Sequence, residues 1–267
     1  LTGVPGIISL LTDFGNEDHY VGTMKGVILG INPSLKLVDI THNIPPHDIA
    51  EASYLLSCYY RYFPKGTVHL VVVDPGVGGK RKPLIAVAGD YYFVAPDNGV
   101  LSFVSAREEI QAFEIIETKF LLPQRGTTFQ GRDLFAPVAA QLASGVSPHL
   151  FGPKLANFTR SSVPEVEVMD EVLAGEVIHI DRFGNIITNI DRQLFNRYVK
   201  KIIEIEVNKR KLTEIKRSYE EGEGDEAFAI FGSNDYLELS VYRGRADSFL
   251  SLSRGDKIKV YFVAKNH

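Results

Sequence analysis

The stretch Val68-His69-Leu70-Val71-Val72-Val73 constrains this chain most. It is a short apolar run rich in β-branched residues, which predicts a buried strand. The run breaks off at Asp74-Pro75-Gly76-Val77-Gly78-Gly79-Lys80-Arg81. The Pro-Gly turn ends the strand and leaves Asp74 at its carboxyl end, where open α/β sheets place their ligands. Gly76, Gly78 and Gly79 let the backbone approach a bound molecule, and Arg81 falls within reach of a loop that folds back on Asp74. Taken alone, the same residues also fit a surface turn with an incidental ion pair.

The neighbouring segments predict a parallel sheet. Ile7 to Leu11 reads as a strand ending at Thr12-Asp13-Phe14-Gly15. Tyr20 to Ile31 reads as a helix with Val21, Met24, Val27, Ile28 and Ile31 on one face, stopped by Asn32-Pro33. Leu35 to Ile40 is the next strand, and Ile49 to Phe63 a second amphipathic helix stopped by Pro64. Strands alternating with helices at this spacing predict βαβ units. Leu84 to Val87 and Tyr91 to Val94 predict a hairpin around Gly89-Asp90, and Pro96-Asp97-Asn98-Gly99 a turn before a short helix. Phe113 to Glu117 reads as a weak strand and Leu134 to about Ser144 as a helix.

The chain of 267 residues suits one large domain or two smaller ones. Ser147 to Pro164 has no clear period and reads as a linker. Beyond it, Ala174 to Ile180, Asn185 to Ile190, Ile202 to Val207, Ala227 to Phe231, Tyr236 to Val241 and Ile258 to Val263 read as strands. Arg192 to Tyr198 is the exception, a helical pattern. The expectation is an α/β domain over 1–154, its mostly parallel sheet flanked by helices, and over 165–267 a small antiparallel β-barrel or sandwich. With 45% hydrophobic and 23% charged residues the chain can bury a core and is not disordered. Its net charge of -4, with no basic run, argues against nucleic acid as a partner. Cys58 is the only cysteine, so there is no internal disulfide and no cysteine metal cluster. No membrane span or signal peptide is evident, and a soluble cytoplasmic protein is expected.

Asp13, Asp18, Asp74 and Asp97 all sit at or after strand ends. One such Asp is usually a turn former, but several on one sheet edge are neighbours in space. Together they can hold ribose hydroxyls or attract a cationic ligand. The rival is a hard cation on several oxygens, with His42 and His47 joining. Those histidines lack a helical ligand spacing, so no metal is expected. His69 lies inside a strand and reads as a satisfied core residue. Asp181-Arg182-Phe183-Gly184-Asn185 opens a second cluster, in which Phe183 can stack on a purine and Asn185 read its edge; an ordinary Asx-rich hairpin is the alternative. A third polar cluster runs from Phe231 through Ser233 to Glu238.

These motifs carry a resemblance. Thr12-Asp13-Phe14-Gly15 with Asp18, Tyr20-Val21-Gly22 and Met24-Lys25-Gly26 is similar to the opening of the S-adenosylmethionine hydroxide adenosyltransferases. Val73 to Gly78, Pro96 to Gly99, Phe129 to Phe135 and Asp181 to Asn189 resemble that family's other motifs in the same order, across nearly the whole chain. Related chlorinases and fluorinases share the fold. The resemblance implies an amino-terminal α/β domain, a carboxy-terminal β-barrel, and a homotrimer whose sites lie between the first domain of one subunit and the second of its neighbour.

The implied reaction is attack of water or hydroxide on C5′ of S-adenosylmethionine, giving adenosine and methionine without a cofactor or metal. In the family an Asp, Arg and His set holds the attacking water. By position Asp74 and Arg81 match, while Gln130 stands where the histidine falls. Gln130 can orient a water but cannot titrate. The resemblance further assigns Asp13 to the ribose hydroxyls; Asp18, Asp181 and Ser233 to the methionine end; Phe183 and Asn185 to adenine. It puts His47 near the ribose, Val241 and Arg243 at backbone contacts to adenine, and Asp97 and Asn98 among the substrate-binding residues. The halogenases carry a tyrosine where Asp74 stands, and a carboxylate beside a halide site repels the anion. A halogenase, and a protein that sequesters S-adenosylmethionine or adenosine without turnover, remain the alternatives at this point.

Overall fold

Six strands of the amino-terminal half pair in one sheet. They are β1 (Ile7–Thr12), β2 (Lys36–Thr41), β3 (Val68–Val72), β4 (Pro83–Ala88), β5 (Tyr91–Pro96) and β6 (Ile110–Glu114), in the spatial order β2-β1-β3-β5-β4-β6. The computed structural model describes residues 6–123, 127–224 and 226–264. β1 pairs in parallel with β2 and with β3, and β3 with β5. Only β4 opposes the others, pairing antiparallel with β5 and β6 and forming the hairpin predicted around Gly89.

β3 is buried along its whole length because helices cover both faces. Val68, Leu70 and Val72 share a core with Ile8, Leu10 and with Met24 and Ile28 of α1 (Tyr20–Ile31). Val71 and Val73 point the other way, into a core with Leu11 and with Ala52 and Leu56 of α2 (Ile49–Tyr59). The Asp48 carboxylate caps α2 by accepting the Glu51 N–H at 3.0 Å. The helix expected to reach Phe63 tightens into a 3-10 turn over Tyr60–Tyr62, since Pro64 disfavours helix before it. On that face lies also α3 (Ser102–Ser105); α4 (Ala136–Ala143) packs with α1 and follows a π-helical turn, Gly131–Phe135, in place of the single helix expected.

The register of β1 on β3 places Thr12 opposite Val72. Both strands run the same way, so Asp13 and Asp74 emerge at one edge. His69, near the start of β3, is fully buried and shares a 2.7 Å hydrogen bond between Nδ1 and Ser9 Oγ. Burial pushes its imidazole down to about 3, so it is neutral. It is only half satisfied, because Nε2 has no hydrogen-bond partner.

The chain divides into two compact units, Leu1–Val163 and Pro164–His267. The segment from Ser147, expected to be a linker, is laid along the first unit. Phe151 is fully buried, the Leu155 N–H reaches Ala112 O at 2.8 Å, and the Ser161 N–H reaches Ser102 Oγ at 2.8 Å.

In the second unit nine strands form one sheet. They are β7 (Glu167–Met169), β8 (Val172–Ile180), β9 (Ile186–Asp191), β10 (Val199–Val207), β11 (Arg210–Leu212), β12 (Ile215–Lys216), β13 (Phe228–Phe231), β14 (Tyr236–Ser240) and β15 (Lys257–Ala264). All ladders are antiparallel except β12 with β13. β8 pairs with β15 through its first half and with β9 through its second. It thus joins two ladders around one core that includes Leu173, Val177, Ile186, Leu239, Val260 and Phe262. The expected barrel is met as far as this curled sheet; no ladder closes β11 on β12 among the described residues. Between strands lie α5 (Arg192–Tyr198), as predicted, and α6 (Ala246–Leu250), whose single turn leaves too few apolar positions to read a period.

Candidate active site

A cavity of ≈ 380 Å³ opens at the carboxyl ends of β1 and β3, lined by Asp13, Phe14, Tyr20, His47, Asp74 and Gln130 among others. Asp74 follows β3 directly, and its side chain is only 4% exposed. Arg81, 10% exposed, folds back on it. Its Nε lies 3.0 Å from Oδ1 and 2.9 Å from Oδ2, and its Nη2 donates to Oδ2 as well. The return of the loop depends on Gly78, whose φ of 74° is one that L side chains rarely adopt. Beneath Arg81 lies the Phe135 ring, 5.4 Å from the guanidinium carbon.

The same Nη2 also donates to Oε1 of Gln130. This contact fixes the amide's orientation, since only its carbonyl can accept from a guanidinium. The Gln130 NH2 group is therefore the part left free to donate. Asp74, Arg81 and Gln130 form one hydrogen-bonded array, with a carboxylate as its only proton acceptor of any strength.

Across the cavity, Asp13 Oδ2 accepts the His47 N–H at 2.9 Å. His47 adopts φ of 69°, a strained conformation for a non-glycine residue, and it is this that brings its backbone to Asp13. The wall between is aromatic, and reading the sequence missed it. Tyr20 and Phe129 have ring centroids 5.0 Å apart, and Phe14 lies 5.7 Å from Tyr20 and 6.1 Å from Phe129. These rings close because residue 131 is glycine: a Cβ there would come 3.1–3.2 Å from Met24 Sδ, Phe129 and Phe14. The signal lay in the same motifs, where Phe14 and Phe129 flank the polar residues.

Asp97 and Asn98 do not line the cavity. The Asn98 side-chain amide donates to Val73 O at 2.8 Å, and Asp97 Oδ1 accepts the Thr159 N–H at 2.6 Å. Asn98 thereby holds the end of the strand that presents Asp74. Asp18 is exposed just before α1 and is also off the cavity wall. His42, considered above as a ligand with His47, has both ring nitrogens engaged, with Thr12 and Asp39. Among the described residues no three His, Cys, Asp or Glu side chains gather as a metal-ligand group.

The remaining candidates belong to the second unit. Asp181 Oδ1 accepts the N–H groups of Phe183 and Asn185, each at 2.9 Å, and its Oδ2 accepts the Asn185 side-chain amide at 2.9 Å. It is thus the organiser of its own turn, as the Asx-hairpin alternative has it. Phe183 projects from that turn with 74% exposure, whereas Asn185 is buried. Arg245 Nη1 ties the turn down through Arg182 O at 3.0 Å. Ser233 and Arg243 are exposed and Val241 is half-buried, and Arg243 stacks over the Tyr242 ring at 5.0 Å.

Residues 8–152 match the model of the SAM hydroxide adenosyltransferase N-terminal domain, and residues 175–259 that of the C-terminal domain. The (R)-S-adenosyl-L-methionine hydrolase of Methanocaldococcus jannaschii is 35% identical, the match covering 96% of each chain. That of Thermus thermophilus is 34% identical over 95% of this chain and 98% of its own. Fluorinases match over 70% of the chain. The crystal structure of an uncharacterized conserved protein from Thermotoga maritima superposes with a TM-score of 0.89 at 36% identity, covering 95% of this chain and 99% of that one.

Proposed function

Because the chain belongs to the SAM hydroxide adenosyltransferase family, we propose that it hydrolyses S-adenosyl-L-methionine to adenosine and L-methionine. The observation that carries the mechanism is that Asp74 and Gln130, joined through Arg81, share one cavity with Asp13. A water oxygen held by the N–H groups of Arg81 and Gln130 attacks C5′. The new O–C5′ bond forms as the C5′–S bond breaks, and its electron pair leaves on sulfur. The leaving group is a neutral thioether, so nothing need protonate it. The water's surplus proton passes to Asp74 and then to solvent, and the attacking oxygen becomes the 5′-hydroxyl of adenosine. What the protein supplies is alignment and a nucleophile stripped of bulk water. Asp13 holds the ribose hydroxyls.

The relatives' name specifies the (R) form. The L label already fixes the methionine α-carbon, so (R) describes the sulfonium sulfur, and we carry that epimer over as the preferred substrate. Halide attack is disfavoured. Arg81 is committed to Asp74 in two-pronged fashion, so its charge goes to neutralising the carboxylate and none is left over to hold an anion.

We extend the reading to a homotrimer in which the second unit of a neighbouring copy completes each site. The support is that Asp181, Phe183, Asn185, Ser233, Val241 and Arg243 all lie in that unit, with Phe183 exposed for an adenine to stack on. The curled sheet is then the family's barrel. The chemistry requires no metal, and the single free cysteine suits a cytoplasmic setting.

Incubating the protein with each purified sulfonium epimer and resolving products by chromatography tests this. Adenosine and methionine should form in equal amounts, with chelator present or absent, from a species of three chains' mass. A 5′-chloro product on adding chloride would identify a halogenase instead, and tight binding without product a sequestering protein.

Gln130→His is expected to raise turnover, but by less than the roughly hundredfold of a free general base. Arg81 donates to this position and so competes with the water for the imidazole lone pair, which lets the ring act as a base only part of the time. The kcat–pH profile of the variant measures how much of the ring titrates in catalysis.

A further inference from the structure

Asp13 sits on a turn whose attachment the mechanism above does not explain. His42 is buried and fastens that turn at both ends. Its Nδ1 lies 2.8 Å from Thr12 Oγ1, and its backbone O accepts the Gly15 N–H at 2.7 Å. Its Nε2 lies 3.0 Å from Asp39 Oδ1, and Asp39 is in turn held by Lys25 Nζ at 2.5 Å. The Asp39 carboxylate accepts only, so Nε2 carries a proton toward it. Nδ1 and the Thr12 hydroxyl form the second contact of the ring, and the same Thr12 Oγ1 takes the Phe14 N–H at 3.3 Å.

The local fold is built for this contact. Along β2 the ladder slips, Leu10 pairing with Asp39 but Leu11 with Thr41. The extra residue re-aims the chain beyond it, as bulges do. The loop that follows supplies His42 to Thr12 and the His47 N–H to Asp13. Burial raises the Asp39 carboxyl, but hydrogen bonds from Lys25 and His42 outweigh it and hold it below its ordinary range. The anchor therefore stays charged.

We propose that His42 is a positioning residue for substrate binding: acting through Thr12 and Gly15, it sets the turn from which the Asp13 carboxylate meets the ribose. This rests on the reading of Asp13 as the ribose holder. His42 is not among the residues lining the cavity, and its ring bonds to Thr12 and Asp39 rather than to the Asp74 array. Loosening it therefore moves one wall of the site and leaves the nucleophile in place.

The test uses the full chain with Thr12→Val, which keeps the side chain's shape and removes its hydroxyl, alongside His42→Ala and Thr12→Ser. Adenosine affinity by calorimetry and kcat and KM for the sulfonium substrate are measured, with melting temperature as control. Thr12→Val and His42→Ala should weaken adenosine binding and raise KM by about tenfold, the worth of one good hydrogen bond, with kcat within about threefold. Thr12→Ser should behave as the parent. Lowered melting temperature with unchanged KM and adenosine affinity in both variants would overturn the inference, as would a loss confined to kcat. Asp13→Ala separates the two layers. If it weakens adenosine and Thr12→Val does not, only the role of His42 fails; if Asp13→Ala itself leaves adenosine affinity unchanged, the ribose reading falls and this inference with it.

Discussion

Asp74→Ala is expected to lower kcat by about a thousandfold or more while substrate affinity stays within about tenfold. Asp74 is the one group of the array that can take the water's proton, since a guanidinium only donates and the Gln130 carbonyl is already taken by Arg81. It also fixes Arg81, whose guanidinium is nearly as buried as the carboxylate. Removing one partner of such a pair leaves a charge with too few acceptors, and losses of about 3–5 kcal/mol in stability are typical. Asp74→Asn separates the two effects. The amide oxygen can still accept from Arg81, so stability should largely return, while the proton acceptor does not. Single-turnover kinetics and calorimetry on both variants read the result. A large affinity loss at unchanged kcat would move Asp74 from the nucleophile to the substrate.

Asp13→Ala is expected to do the reverse, weakening both substrate and adenosine by about a hundredfold. A carboxylate that accepts from two ribose hydroxyls makes two charge-assisted hydrogen bonds, each worth about 1.5–3 kcal/mol, and water recovers part of that. The variant also strips the His47 N–H of its acceptor, which loosens the other side of the cavity. At saturating substrate, turnover should fall far less than affinity. Adenosine titration isolates the effect, because adenosine carries the ribose and no reacting sulfonium. Equal adenosine affinity in the variant and parent would remove Asp13 from the ribose.

Much of this was legible in the sequence, for a physical reason. Val68 to Val73 must be buried wherever it lies, and helix-spaced apolar residues on either side leave a parallel pairing as the simplest way to bury it. Asp74 and Arg81 followed, because a strand end and a glycine turn are local facts. Longer-range facts were not legible. Asn98 reads as one more turn residue until its amide is seen on Val73 O. The aromatic wall needs three rings from two distant segments, and neither segment has a period that reveals a partner. The π-helical turn at Gly131–Phe135 is likewise invisible to a pattern that counts a helix as uniform. Ser147 to Pro164 reads as a linker because it has no period, but lack of period is not lack of contacts: the N–H groups of Leu155, Thr159 and Ser161 are paired within the first unit.

The pairing of Thr12 with Val72 has a consequence for how this protein is kept correct. Neighbouring positions on those strands, Ser9 and His69, lie 60 residues apart in the chain, with two helices between them. Side chains alternate along a strand, so a slip of one residue would carry every inward group outward and draw the two carboxylates apart. Local helix formation alone does not set that register; burial of the apolar residues of β1 and β3 does. Activity therefore reports this pairing directly, because a molecule slipped along these strands lacks the assembled site.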